Sequence, residues 1–151
     1  MIVTPCPAAD IRLSPDFPEL AAEYTAESAM REMPMPNVNW ELYQLLEDSG
    51  SLHCFAARED GTLAGFVFVI SSISPEYGVL ISCTEAFFVG NAWRHTGAGL
   101  KLLAAAEAKS RELKSFGLAA NGPLGGKLAE VLPKCGYREI GRMFFKRNCD
   151  A

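Results

Sequence analysis

Two periods of apolar residues alternate along the chain, and the switches between them divide it into elements. Phe17, Leu20 and Tyr24 recur at helical spacing and predict a helix running to about Ala29 or Met30. Asp16 stands where a cap belongs, Pro18 is tolerated in a first turn, and Glu19 follows at capping-box distance. Met33-Pro34-Met35-Pro36 cannot continue that helix, because proline lacks a backbone donor and clashes with the turn before it. A second helix is predicted from Asn39, as cap, through Trp40, Leu42, Tyr43, Leu45 and Leu46 to Ser49-Gly50. Residues 1–4 read as a short first strand.

From residue 52 the pattern changes to strands. Leu52 to Arg58 and Thr62 to Ser71 flank Glu59-Asp60-Gly61, a hairpin turn signal. Gly65 to Ile70 is apolar on both faces, as a central strand covered on both sides would be. Ser74 to Gly78 makes another turn, and Val79 to Val89 is the third long strand of the meander. A helix then begins near Gly97 and carries Leu100, Leu103, Ala106, Ala108 and Leu113 on its apolar side. Phe116 to Ala120 is a short buried strand, so strand, helix and strand form a parallel crossover. Asn121 or Gly122 is read as the cap of a last helix with Pro123 at its first position, ended by Pro133 and Gly136. Tyr137–Ile140 and Met143–Lys146 are predicted to close the fold as a terminal strand pair. The order describes an α+β sheet domain.

Composition narrows the class. A chain of 151 residues fits a single domain, residues 1–151, and shows no repeat or linker. Hydrophobic residues at 49% and charged residues at 21% indicate a globular chain. A net charge of −4 argues against nucleic acid as a partner, which needs a basic footprint. The apolar runs are too short to span a membrane, and the first residues lack the basic and apolar regions of a signal peptide. The cysteines, Cys6, Cys54, Cys83, Cys135 and Cys149, are odd in number and show no C-x-x-C spacing. With His53 and His95 the only histidines, no metal-ligand cluster is visible, and the thiols read as reduced cysteines of a cytoplasmic protein. His53, alone on its strand, reads as structural, and Met30, Met33 and Met35 as core or lid packing.

The candidate chemistry lies at one junction, Val89-Gly-Asn-Ala-Trp93-Arg94-His95-Thr96-Gly97-Ala98-Gly99-Leu100. A strand that runs through a glycine-containing loop into a helix offers unpartnered N–H groups and a favourable dipole to an anion. Gly97 and Gly99 leave room for a ligand to approach the backbone. On the glycines alone, an ordinary strand-to-helix turn is an equal reading.

The flanking residues resemble those of the GNAT-type N-acetyltransferases over roughly residues 52–147. That family's cofactor motif is Gln or Arg, two residues, Gly, one residue, then Gly or Ala; here it is Arg94-His95-Thr96-Gly97-Ala98-Gly99. Val89 and Trp93 match the upstream Val and aromatic, Asp60-Gly61 and Gly65 match hairpin glycines, and Lys134-Cys135-Gly136-Tyr137 resembles the family's late Gly-Phe. The resemblance implies a mixed, mostly antiparallel central sheet with helices on both faces, and acetyl-CoA as cosubstrate with no metal. It implies that N–H groups from His95 to Leu100 hold the pyrophosphate, with charge from Arg94 and Lys101. The pantetheine arm would pair with the open backbone of Phe87, Phe88 and Val89, as in strand addition. The Val89 N–H would polarise the thioester carbonyl, and Asn121 is a candidate contact from the neighbouring strand end. Glu85 sits where some members carry a base for the acceptor amine, and strict alternation puts it on the face of Phe87 and Val89.

There is one departure. Leu132 stands where the family often places the tyrosine acid for the leaving thiolate, which leaves departure without that acid, help from another group such as Cys135, or weak catalysis. The leading reading is direct acetyl transfer to an amine of a small molecule or a peptide. The alternative is a non-catalytic acyl-CoA-binding or protein-interaction module that retains the phosphate loop. A homodimer would be ordinary for such a chain.

Overall fold

The structure is a computed structural model and describes residues 1–148. Its elements are β1 (Ile2–Cys6), α1 (Ala8–Arg12), α2 (Phe17–Ser28), α3 (Trp40–Asp48), β2 (Leu52–Glu59), β3 (Thr62–Ile73), β4 (Leu80–Val89), α4 (Ala98–Glu112), β5 (Leu118–Ala119) and α5 (Lys127–Val131). Two 3₁₀ turns cover Asn91–Thr96 and Leu132–Cys135.

The five strands form one sheet in the order β1-β2-β3-β4-β5. The first four are antiparallel neighbours, and β5 runs parallel to β4. The sheet is therefore mixed and mostly antiparallel. β3 is central and buried from Leu63 to Val69, as its two-faced apolar run predicts.

Helices cover both faces. On one, Ile11 of α1, Leu20 of α2, and Trp40 and Tyr43 of α3 pack on Cys54, Phe66, Phe68 and Phe88. On the other, Ala98, Leu102 and Ala106 of α4 pack on Phe55, Val67, Val69 and Val89. Ala98 and Ala106, small residues on the same stripe, let α4 lie close to the sheet on either side of Leu102. Its buried stripe thus runs through Ala98, Leu102 and Ala106, with Leu103 beside it, while Leu100 and Ala108, predicted on the apolar side, are exposed.

Several expectations are corrected. Asp16 does not cap α2 with its side chain; its Oδ2 accepts the Leu63 N–H at 3.1 Å and ties α2 to β3. α5 begins at Lys127 rather than near Asn121, because Gly122, Gly125 and Gly126 break the helical run, with Gly125 at φ +70°. Residues 137–147 form no strand pair. Neither alternate set of that segment is continuously apolar, since Arg138, Arg142 and Lys146 share one set with Ile140 and Phe144. β5 also offers only two residues as an edge. Asn39 does cap α3, its Oδ1 accepting the Leu42 N–H at 3.0 Å. Cys149 lies outside the described residues.

Candidate active site

β4 carries the first part of the site. Its register with β3 slips once: Phe68 opposes Ala86, but Val69 opposes Thr84. Glu85 is therefore the extra residue of a bulge, a device that re-aims a side chain. Ala86 and Phe88 pack toward α1–α3, and Phe87 and Val89 toward α4. The alternation expected from sequence puts Glu85 with Phe87 and Val89; the bulge instead sets it beside Tyr43 of α3 and Tyr24 of α2. Burial, then the Glu85 carboxylate, push the Tyr43 phenol up to about 12. Burial raises Tyr24 as well, against a lowering hydrogen bond from Ser28, and Glu85 adds to the rise. Glu85 itself is exposed and has no ion-pair partner among the described residues.

Beyond the bulge the sheet opens. The β4–β5 ladder covers only Ser82 with Leu118 and Cys83 with Ala119. The last tie is the Asn121 N–H to Thr84 Oγ1, at 3.1 Å. Past that point no strand among the described residues pairs with the β5 side of β4. Gly65 opposes Val89, and the Gly90 N–H reaches the Ala64 carbonyl at 3.0 Å. In an antiparallel ladder this makes Gly65–Val89 a non-hydrogen-bonded pair. The N–H and C=O of Val89, and by alternation those of Phe87, thus point away from β3 into the opening, whereas those of Phe88 face β3.

The start of α4 lies beside that opening. Gly97 takes φ +79°, which glycine adopts freely, and a Cβ there would meet nothing within 4 Å. Gly99 lies against Val89: a Cβ on Gly99 would come 3.8 Å from the Val89 Cγ2. No side chain caps α4, so the first-turn N–H groups of Ala98, Gly99 and Leu100 are free for a ligand. Thr96 turns its hydroxyl inward to the Trp93 carbonyl at 2.6 Å, and His95 is exposed beside it.

The two cations expected at the phosphates are engaged elsewhere. Arg94 donates from Nε to the Val89 carbonyl at 3.1 Å, and from Nη2 to both Glu27 carboxylate oxygens at 2.8 and 2.7 Å. Its guanidinium also lies 5.4 Å from the centre of the Phe88 ring. Lys101 donates to the Met1 carbonyl at 2.9 Å. What the start of α4 leaves open is therefore backbone. Sequence reading missed its braces: Glu23 and Glu27, one turn apart on α2, hold the Asn91 N–H (2.8 Å) and Arg94. The i, i+4 acid pair was the available signal.

The remaining candidates separate from the opening. Asn121 is not a helix cap; its Nδ2 reaches Cys83 Sγ at 3.4 Å and the Thr84 carbonyl at 3.5 Å, at the fork where the strands part. Leu132 is buried at 7% exposure. Cys135 shares an open groove of about 390 Å³ with Ser110, Arg111 and Phe116. That groove is at the far end of α4, roughly 15–20 Å along the helix from Gly99, so Cys135 is not placed to serve as acid. Tyr137 is half-buried and donates to Glu107 Oε1 at 2.9 Å. His53 bonds the Gly50 carbonyl at 3.1 Å, and burial followed by Lys109 lowers its pKa.

An uncapped helix start against a strand edge that has lost its neighbour is the setting in which comparison with known proteins becomes decisive. The model of the acetyltransferase (GNAT) family matches residues 16–121. The chain belongs to the GNAT acetyltransferase family. The match runs from Asp16, at the start of α2, to Asn121, and so spans the Glu23 and Glu27 braces, the bulge and the start of α4. A sequence search of curated proteins finds no match. Among solved structures, the ribosomal-protein-alanine N-acetyltransferase of Brucella melitensis biovar Abortus 2308 is similar, with a TM-score of 0.71 at 19% identity over 97% of this chain and 99% of that one. An aminoglycoside acetyltransferase from an uncultured soil metagenomic sample gives 0.71 at 16% identity over 96% and 94%. The aminoglycoside 6'-N-acetyltransferase AAC(6')-Ig of Acinetobacter haemolyticus gives 0.67 at 17% identity over 99% and 100%. At these identities the structures establish the shared fold. Members of the GNAT family use acetyl-CoA, and the protein is an acyl-CoA-dependent N-acetyltransferase by membership. Among the described residues no helix is long and apolar enough to cross a membrane, and no group of side chains could hold a metal ion.

Proposed function

We propose that this GNAT acetyltransferase moves an acetyl group from acetyl-CoA directly to a primary amine, in the cytoplasm, with residues 1–151 acting as one domain. The observation that carries the reading is the free edge of β4 at Phe87 and Val89 beside the uncapped start of α4. The residues fit the cosubstrate: N–H groups from His95 to Leu100, chiefly Ala98, Gly99 and Leu100, suit a pyrophosphate, and the empty Cβ position of Gly97 leaves it room. When bound, acetyl-CoA supplies an acetyl group activated as a thioester.

The chain's own residues account for the rest. Phe87 offers its N–H and C=O, and Val89 its N–H, to an amide-bearing arm, the Val89 carbonyl being held by Arg94. The Val89 N–H stabilises charge on the carbonyl oxygen during attack. Glu85 takes the proton that an ammonium must lose before its nitrogen can attack. As the C–N bond forms the C–S bond breaks; the second nitrogen proton is lost to water, and the sulfur leaves as a thiolate that solvent can protonate. Buried Leu132 supplies no acid to the thiolate. A direct route suits the thiols: burial raises Cys6 to about 11 and pushes Cys54 and Cys83 up, so these are poor nucleophiles at neutral pH.

Two measurements test this. Acetyl-CoA at 100 times its Kd adds about 2.7 kcal/mol to stability, readable as a thermal shift. In a single turnover with labelled acetyl-CoA, label goes to the amine; a stable acetyl-cysteine rules out direct transfer. The second reading, a CoA-binding module without turnover, is favoured by Leu132 alone. Tight binding with no thiol release over a broad amine panel would establish it.

A further inference from the structure

We propose that Cys6 and Cys54 are a thiol-oxidation site, closing reversibly to an intramolecular disulfide in response to a low-molecular-weight disulfide such as oxidised glutathione. The inference is independent of the transfer reading. Cys6 ends β1 and stands opposite Cys54 of β2 in the register of the sheet. Directly opposed residues of an antiparallel pair share a face. Cys54 is buried in the cluster beneath α1–α3, and Cys6 packs against that cluster. Both thiols also line one open groove of about 440 Å³, bordered by Glu47 of α3 and Lys109 of α4, so a small solute can reach them.

The ladder fixes their separation. The Ser71 N–H reaches the Ser51 carbonyl at 2.9 Å, so Ser51 faces β3 and, by alternation, Cys54 turns its N–H and C=O toward β1. Pro5 gives the same answer from the other strand. It has no N–H, so that side of Pro5 faces outward on the edge strand and Cys6 faces β2. Cys6 and Cys54 are therefore a hydrogen-bonded pair, with Cα atoms about 5.5 Å apart. That lies within the disulfide range of about 4.4–6.8 Å. Side chains of such a pair stand further apart than at the alternate sites, so the bond closes only with backbone movement, which the last residue of an edge strand allows. A bridge closed under strain is readily reduced, as a regulatory bond must be. Burial raises Cys6 to about 11, and burial and then Glu47 raise Cys54, so the pair stays reduced until an oxidant accumulates. Cys6, the more accessible, is the entry thiol. Its thiolate attacks oxidised glutathione and expels one glutathione thiolate. The Cys54 thiolate then attacks the Cys6 sulfur and expels the second. Two protein thiols become one disulfide, one glutathione disulfide becomes two thiols, and the two protons pass to the departing thiolates.

The test uses the full chain in glutathione buffers of rising oxidised fraction. Samples are alkylated in denaturant, digested without reduction and mapped by mass spectrometry. Exposed Cys135 serves as the control, since glutathione on it shows that the oxidant has reached the protein. Alkylation of Cys6 and Cys54 should be lost in parallel as one cross-linked peptide pair appears, and excess reduced glutathione should restore both. Cys54→Ala should trap glutathione on Cys6, whereas Cys6→Ala should leave Cys54 unreacted. The wild-type map decides the matter even where a variant fails to fold. Cys6 and Cys54 fully alkylated at an oxidised fraction that modifies Cys135 overturns the proposal. So does a bridge from either of them to Cys83 or Cys135, or glutathione left unresolved on Cys6 of the wild-type chain. None of these results touches the acetyl-CoA reading, which stands or falls on its own measurements.

Discussion

Arg94 and Val89 are joined by a 3.1 Å hydrogen bond from the guanidinium Nε–H to the backbone carbonyl. The contact fixes the last peptide of β4, because the Gly90 N–H of the same peptide is held by Ala64. With both sides of that peptide tied, the neighbouring Val89 N–H keeps its direction into the opening. The cofactor motif's arginine thus acts on the strand edge, and Glu27 holds it there from α2.

Arg94→Ala should lower stability by about 1 kcal/mol, since the bonds lost are partly exposed and screened. Its larger effect should be on acetyl-CoA affinity, through a looser Val89. Arg94→Lys keeps a charge for Glu27 without the fixed Nε–H, so it should recover melting temperature more than affinity. Thermal melts and calorimetry on the two variants separate these effects. Wild-type affinity in Arg94→Ala would show that Val89 needs no brace.

Gly97 and Gly99 make a matched pair. Gly97→Ala meets open space but must hold φ +79°, a strain of about 1–2 kcal/mol for a side chain. Gly99→Ala meets Val89 at an ordinary 3.8 Å and sits in the first turn of α4, so the fold should keep or gain stability. Acetyl-CoA binding should nevertheless weaken in Gly99→Ala, because the methyl projects toward the cradle. Undiminished binding there would move the pyrophosphate away from this helix start.

Tyr43 gives the fold an alkaline limit. Its phenol, ordinarily near 10, is pushed up to about 12 by burial and then by Glu85. The native state binds this proton more tightly than the unfolded state. The resulting stability is complete below pH 10 and is lost as pH rises through about 12. Urea denaturation across that window should show the fall, and Tyr43→Phe should flatten it. Parallel curves for the two proteins would mean that Tyr43 does not carry the effect.

Glu85→Gln should slow transfer over the pH range in which the amine is mostly protonated, and least where it is already free. A pH–rate profile identical to wild type would remove Glu85 from the mechanism.

Much of this was legible in the chain. The two-faced run through Phe66 and Val69 marked the central strand, and Gly97 marked the turn into α4. What was lost depended on tertiary events without a local signature. The bulge at Glu85 appears only when β3 and β4 are paired, so alternation gave the wrong face. Arg94 looked like a phosphate ligand because its partner, Glu27, lies 67 residues away. Residues 137–147 looked like strands because Ile140, Met143 and Phe144 are apolar, yet a strand needs an edge and β5 provides two residues.

The most direct measurement is a titration of ¹⁵N-labelled protein with CoA, followed at individual backbone amides. The largest shifts should fall on Ala98, Gly99 and Leu100 and on Phe87 and Val89, with little change at His53 or Lys109, which line a separate groove with Cys6, Glu47 and Cys54. Shifts confined to that groove, or none at saturating CoA, would contradict a cosubstrate site between the edge of β4 and the start of α4.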